Sequence, residues 1–191
     1  MPAMDRATPP VEFTRHETMR NGTPVLIRAI RHDDRERIIA AFRKLEAETI
    51  YTRFFTAKRE LSETDLGRID ANDFVRAAIL VATLPSGDGD DEIIIGGGAY
   101  TVNSPPGAPL SAEVSFTIEE DYHGQGLAGI FMRLLTEIGR ARGVQRFEAE
   151  VLAGNPAMLA VFQHSGLPMT RRTEDGVVHV EMDLRVSATP N

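Results

Sequence analysis

Ala112-Glu113-Val114-Ser115-Phe116-Thr117-Ile118, the connection Glu119 to Tyr122, and then His123-Gly124-Gln125-Gly126-Leu127-Ala128-Gly129 form the most informative run in the chain. Val114, Phe116 and Ile118 alternate with smaller or polar residues, which is the two-residue period of a strand. The glycines open a segment in which Ile130, Phe131, Leu134, Leu135 and Ile138 recur on one helical face. Gly143 stops that helix just after Arg142. A helix N-terminus leaves backbone N–H groups unpaired and carries partial positive charge. Gly124 and Gly126 remove side chains that would keep a phosphate away from those groups. Strand, glycine turn and long helix together predict an anion site where the helix begins.

Upstream of this run, Val25 to Arg31 is apolar and β-branched and reads as a strand. Asp33 or Asp34 is expected to cap a helix carrying Ile38, Ile39, Phe42 and Leu45 at helical spacing. Glu48 to Phe55 reads as a short second helix, and Ser62 with Asp65 as the capping box of a third. Ala77 to Leu84 and Ile93 to Val102 read as strands around the turn-rich Pro85 to Asp91. Gly96-Gly97-Gly98 marks a bend or a close backbone approach, and Pro105 to Pro109 a turn. Downstream come a strand at Phe147 to Leu152, a helix opened by Pro156 and ended by Gly166, and two strands around Glu174-Asp175-Gly176. No repeat or linker divides the chain. A single domain of mixed α/β class is expected over residues 21–188, with residues 1–20 as a flexible tail.

At 191 residues the chain is long enough for one ordinary core and too short for two generous ones. No apolar run approaches the ~20 residues of a membrane helix. Met1 to Pro10 lacks the apolar core of a signal peptide. The absence of cysteine excludes a disulfide framework, a thiolate metal site and a cysteine nucleophile. A cytoplasmic location follows as the expectation. The formal net charge of −7 argues against nucleic acid as a partner and suits cationic ones such as amines. Solubility alone also accounts for such an excess. His16, His32, His123, His164 and His179 show no metal-ligand spacing, and no metal is expected. Ser115 and Ser165 have no histidine–acid arrangement near them.

Several phosphate sites share this glycine pattern. A Walker A loop needs Lys and then Ser or Thr after its last glycine, where this chain has Leu127 and Ala128. The spacing of Gly124, Gly126 and Gly129, with Glu150 further on, does fit a dinucleotide fingerprint, but the long mixed preamble fits that fold poorly. A plain turn joining strand to helix is the remaining reading.

His123-Gly124-Gln125-Gly126-Leu127-Ala128 is similar to the Gln/Arg-x-x-Gly-x-Gly/Ala signature of the GNAT acetyltransferases, with His123 in place of Gln or Arg. Asn155-Pro156-Ala157-Met158 through Phe162-Gln163-His164-Ser165-Gly166-Leu167 resembles the family's Asn-x-x-Ala…Tyr-Glu-Lys-x-Gly-Phe segment. The likeness runs from about Val25 to Leu184. Tyr51-Thr52-Arg53-Phe54-Phe55, Arg59-Glu60-Leu61-Ser62, Ala112-Glu113 and Glu150 to Leu159 further resemble the catalytic domain of bacterial Pat-type protein lysine acetyltransferases. Those proteins often carry a regulatory or acyl-CoA-synthetase-like domain, and none is legible here. The resemblance implies the GNAT fold, a central mixed, mostly antiparallel sheet with splayed central strands flanked by helices. It implies acetyl-CoA as donor and an amine as acceptor, with an acyl-CoA synthetase or another protein lysine as the candidate. Neither nucleic acid nor membrane is implied as a partner, and the chain is expected to be a monomer or homodimer.

Attack of an amine on a thioester requires the amine to lose its proton first. Glu113 matches the catalytic glutamate of the Pat-like pattern and is the candidate base; otherwise it is an exposed strand carboxylate or a salt-bridge partner. The resemblance assigns the oxyanion donor and the pantetheine pairing to the backbone near Phe116, Thr117 and Ile118. It assigns the diphosphate to His123, Gly124, Gln125, Gly126, Leu127, Ala128 and Gly129. Asn155 resembles the family asparagine at the cofactor arm and equally reads as an N-cap before Pro156. Met158 and Phe162 fall on the cofactor side. Phe162 stands where many members have a tyrosine that protonates the leaving thiolate, which a phenyl ring cannot do. Arg53, Phe54 and Phe55 either shape the acceptor entrance or form a helix end with two buried rings and a surface arginine. Two alternatives stay open, a small-molecule amine as acceptor and a non-catalytic acyl-CoA-binding sensor. Glu113 and the loop favour catalysis, whereas Phe162 and His123 leave room for the sensor.

Overall fold

The structure, a computed structural model, describes residues 13–69, 72–87 and 91–185. Its strands are β1 (Thr14–Thr18), β2 (Pro24–Ala29), β3 (Ala77–Pro85), β4 (Glu92–Val102), β5 (Ser111–Ile118), β6 (Arg146–Leu152), β7 (Met169–Glu174) and β8 (Val177–Asp183). The helices are α1 (Arg35–Lys44), α2 (Ala47–Phe54), α3 (Glu63–Gly67), α4 (Leu127–Ala141) and α5 (Pro156–Gln163). One sheet holds the strands in the order β1-β2-β3-β4-β5-β6-β8-β7. All neighbours are antiparallel except β5 and β6.

The β5–β6 pair sets up the site. It is parallel and stays in register at Ser111↔Arg146, Ala112↔Phe147 and Glu113↔Glu148 only. Beyond Glu113 the strands part, because β5 keeps its register with β4 to Ile118 while β6 follows β8 to Leu152. The β6-facing backbone of β5 past Glu113 therefore has no ladder partner, and a V-shaped gap opens in the middle of the sheet. The expected mixed, mostly antiparallel sheet with a splayed centre is present.

Helix α4 lies across one sheet face with Phe131, Leu134 and Leu135 fully enclosed. Gly98 allows this close approach. A Cβ at that position would stand 2.8 Å from both Cβ and Cγ of Phe131 and 3.0 Å from the Phe116 ring. Gly98 is thus where β4 admits the helix, and the contact seats the N-terminal half of α4 on the sheet. On the other side, α1 packs over β4 and α2 over β5.

Two expectations need correction. Thr14–Thr18, assigned to the tail, forms the edge strand β1, joined to β2 through a turn at Asn21-Gly22 with Gly22 at φ +87°. Residues 1–12, 88–90 and 186–188, parts of the expected tail, loop and domain, lie outside the described residues. Asp34 does not cap α1 with its side chain. A short 3-10 turn at His32–Asp34 precedes the helix, and the Asp34 carboxylate turns inward. It accepts bonds from Arg28 Nη1 and Nη2 at 2.7 and 2.8 Å and from the Arg31 N–H at 2.7 Å. Arg28 also donates to Glu92 at 2.8 Å, so this cluster fastens β2 to β4 and to the start of α1.

The Ser62–Asp65 capping box forms as expected, with the Ser62 N–H donating to Asp65 at 2.7 Å and the Asp65 N–H to the Ser62 hydroxyl at 3.2 Å. Asn155 caps α5 through a 3.1 Å bond from the Met158 N–H. Among the described residues, no helix is long and apolar enough to cross a membrane.

Candidate active site

After β5, a 3-10 turn at Glu120–Tyr122 carries the chain to the glycine loop. Gly124 and Gly126 adopt φ +72° and +88°, left-handed values that a side chain disfavours. The first bond of α4 runs from the Ile130 N–H to the Gly126 carbonyl at 3.1 Å. The N–H groups from Gly124 to Gly129 donate to no acceptor among the described residues. Leu127 and Ala128 are buried and anchor the helix, while Gly124 and Gly129 are exposed. A run of uncommitted N–H groups at the positive end of a helix of four turns is the donor set that a diphosphate requires. The residues present therefore fit the cofactor's anionic part.

Two side chains of the loop face the protein. The His123 ring donates from Nε2 to the Ile118 carbonyl at 2.8 Å. The Gln125 side-chain oxygen accepts from the Asn21 N–H at 3.1 Å. Both bonds hold the loop in shape.

A cleft of about 1630 Å³ extends from this loop past the β5–β6 fork to the side of α2 and α3. That exceeds the usual ~300–1,000 Å³ of a small-ligand pocket and accommodates an extended molecule plus an acceptor. Phe116, Thr117, Ile118, His123, Gly124, Gly126, Leu127, Ala128, Gly129, Asn155, Met158 and Phe162 line it. So do Glu113, Arg53, Phe54 and Phe55; Gln125 alone among the expected residues does not. Phe162 is 1% exposed, with its ring 6.0 Å from that of Phe116, which in turn stacks on Phe131. It is a core ring forming the cleft wall.

Glu113 occupies the last paired position of the fork, on the sheet face away from α4. It is exposed and makes no hydrogen bond or ion pair with any described residue. Its neighbours are committed: Glu148 accepts from Asn103 and from Arg146 at 3.1 Å, and Glu150 lies 3.3 Å from His179. With Glu181 opposite Glu148, carboxylates from β5, β6 and β8 share this face.

Arg53 reaches the same opening, half-buried, with its guanidinium carbon 5.1 Å from the centre of the Phe54 ring. Burial, then repulsion from Arg68, pulls its pKa below the usual arginine value; the charges of Glu113 and Asp65 work the other way. Of the two rings expected to be buried there, Phe54 packs edge-on against Phe42 at 6.1 Å. Phe55 is 38% exposed and ends α2 in a left-handed conformation at φ 54°.

Two residues escaped the sequence reading. Glu120 accepts from the Glu46 N–H at 2.9 Å and fastens the start of α2 to the approach of the glycine loop. Arg20 donates to the Gly124 carbonyl at 3.2 Å. The dipeptide Asn21-Gly22, a hairpin signal, could have revealed the turn that carries Arg20.

The acetyltransferase (GNAT) domain family matches residues 25–168. The chain is 31% identical over 143 residues to Acetyltransferase PA5475 of Pseudomonas aeruginosa, covering 74% of each. It is 31% identical over 170 residues to Acetyltransferase Pat of Mycolicibacterium smegmatis, covering 87% of this chain and 47% of that protein. The chain thus spans about half the length of that relative. Among solved structures, the GNAT domain of S. lividans PAT superposes with a TM-score of 0.79 at 32% identity, over 89% of this chain and 96% of that one. The chain belongs to the GNAT family and is an N-acetyltransferase that takes its acetyl group from acetyl-CoA.

Proposed function

We propose that the acceptor is the ε-amine of a protein lysine and that Glu113 is the general base. The observation that carries this reading is the position of Glu113, an exposed carboxylate with no hydrogen bond or ion pair to any described residue, lining the cleft where β5 and β6 part. Acetyl-CoA supplies an activated thioester. The N–H groups from Gly124 to Gly129 hold its diphosphate, and the unpaired edge of β5 aligns the arm as an added strand would be aligned. An N–H in the Phe116–Ile118 stretch faces the oxygen on which charge develops. Glu113 takes the proton from the acceptor ammonium, directly or through one water, because a free lysine is mostly protonated near neutral pH. Phe162 offers no proton, so the thiolate departs unaided, as the modest basicity of a thiolate allows.

A cationic acceptor suits the face carrying Glu113, Glu148, Glu150 and Glu181, carboxylates that form part of the chain's net charge of −7. The likeness to Pat proteins supports the same acceptor class.

The test is Glu113→Gln. Turnover on a lysine peptide should fall about a hundredfold or more, the usual worth of a general base, while affinity for acetyl-CoA changes less than about twofold. Equal turnover of the two enzymes from pH 7 to 9 would remove Glu113 from the role. Faster transfer to small free amines than to any lysine peptide would overturn the acceptor.

A further inference from the structure

The turn between β1 and β2 is clamped onto the glycine loop. The Arg20 N–H donates to the Gln125 carbonyl at 3.0 Å, and the Asn21 N–H to the Gln125 side chain at 3.1 Å. Arg20 Nη1 donates to the Gly124 carbonyl at 3.2 Å. Arg20 Cγ and Nε lie 3.5 Å from where a Cβ on Gly126 would stand. The guanidinium is therefore laid across the two left-handed glycines of the anion cradle, and Arg20 lines the cleft.

The charge balance gives this placement its meaning. From His123 to Gly129 the loop has no permanently charged side chain, and the His123 ring N–H is committed to Ile118. Glu119, Glu120 and Asp121 stand just before it. A dianion arriving here meets backbone dipoles but no cation from the loop itself. Arg133, one further cation lining the cleft, is paired with Glu17 at 2.6 Å and Glu137 at 3.3 Å. Arg20 is exposed, has no carboxylate partner among the described residues, and commits one of its five N–H donors.

We infer that Arg20 is a diphosphate-binding residue, supplying from the N-terminal hairpin the cation that the histidine-bearing loop lacks. This rests on the loop being the diphosphate site. The guanidinium keeps its bond to Gly124 while its remaining donors reach phosphate oxygens, a geometry that a lysine reproduces only in charge.

The test compares wild type, Arg20→Gln and Arg20→Lys. Calorimetric titration measures binding of CoA and of dephospho-CoA, which keeps the diphosphate and lacks the 3′-phosphate. Transfer from S-acetylpantetheine, which has neither, gives kcat/KM. Arg20→Gln should weaken CoA and dephospho-CoA alike by about tenfold to a hundredfold, the worth of charge-assisted bonds. It should flatten the salt dependence of binding and leave transfer from S-acetylpantetheine unchanged. Arg20→Lys should recover part of the loss.

An equal loss with S-acetylpantetheine would make Arg20 a brace of the loop and overturn the inference. So would a loss confined to CoA, which would point to the 3′-phosphate. If Arg20→Gln fails to fold, Arg20→Lys decides, because binding as weak to dephospho-CoA as to pantetheine or as tight as wild type would each contradict a guanidinium on the diphosphate. Failure of the wild-type chain to bind CoA would remove the loop assignment itself, a separate result.

Discussion

Replacing Asp34 with alanine strips one partner from a pair enclosed in the protein. Arg28 is 1% exposed and Asp34 0%. The variant leaves the Arg28 guanidinium in the interior with Glu92, whose carboxylate is about a quarter exposed. Removing one member of a buried pair costs about 3–5 kcal/mol, and the partly exposed Glu92 compensates the guanidinium only in part. A lost helix cap costs about 1 kcal/mol and a neutral surface change less than about 0.5 kcal/mol. The three cases are therefore separable by magnitude. In a domain of this size, 3–5 kcal/mol lowers the melting midpoint by about 6–20 °C.

Urea denaturation and thermal melting at pH 7 measure both quantities, with the adjacent, exposed Asp33→Ala as control, expected to lose less than about 0.5 kcal/mol. Acid adds a second readout. Burial works against the Asp34 charge, but hydrogen bonds from Arg28 and the Arg31 N–H, with the charges of Arg28 and Arg37, outweigh it and hold the carboxyl below its usual range. Its folded pKa lies under its unfolded one. The stabilisation is thus complete above the ordinary carboxylate value, about 4, and is lost as pH falls through the folded value. The gap between wild type and Asp34→Ala should narrow on acidification. A loss of 1 kcal/mol or less at pH 7, or a gap that widens in acid, would show that the Arg28–Asp34 pair does not fasten β2 to α1.

Gly98→Ala places a Cβ 2.8 Å from the Cβ and Cγ of Phe131, a fully enclosed side chain. It should cost about 1–3 kcal/mol by overpacking and weaken CoA binding as α4 lifts, whereas wild-type melting and affinity would show that the helix is not seated on this glycine. Asp65 has a pKa of about 2, because hydrogen bonds from Lys58 and Ser62 outweigh its burial. Asp65→Asn should lose about 2 kcal/mol in urea denaturation at pH 6, with the difference shrinking as pH falls from 4 towards 2; a difference that persists unchanged at pH 3 would rule out the ion pair as its source.

Much of this fold is legible in the sequence because the local signals agree with one another. The alternation in β5, the glycines at 124 and 126 and the apolar stripe of α4 all specify one strand–loop–helix unit, and the structure has it. The Ser62–Asp65 box and the Asn155 cap are short-range devices whose partners lie three residues away, so spacing alone reveals them. Interactions that span the chain escape such reading. Asp34 has the residue type of a cap, and only the arrival of Arg28 from β2 and the enclosure by β4 turn it inward. Thr14–Thr18 carries little apolar pattern because it is an edge strand with four of its five residues exposed, and thus looks like tail. Arg20 meets Gly124 across 104 positions of sequence, and no local pattern marks that contact. The resemblance implies the splay of β5 from β6, and its physical origin is the divided allegiance of the two strands, one to β4 and the other to β8.

A crystal structure of the chain with CoA measures most directly whether the start of α4 receives the diphosphate. Phosphate oxygens within about 3 Å of N–H nitrogens between Gly124 and Gly129 are expected, with the arm running along β5 past Glu113. A diphosphate bound elsewhere, with those N–H groups left facing water, would contradict the assignment of the loop and everything built outward from it.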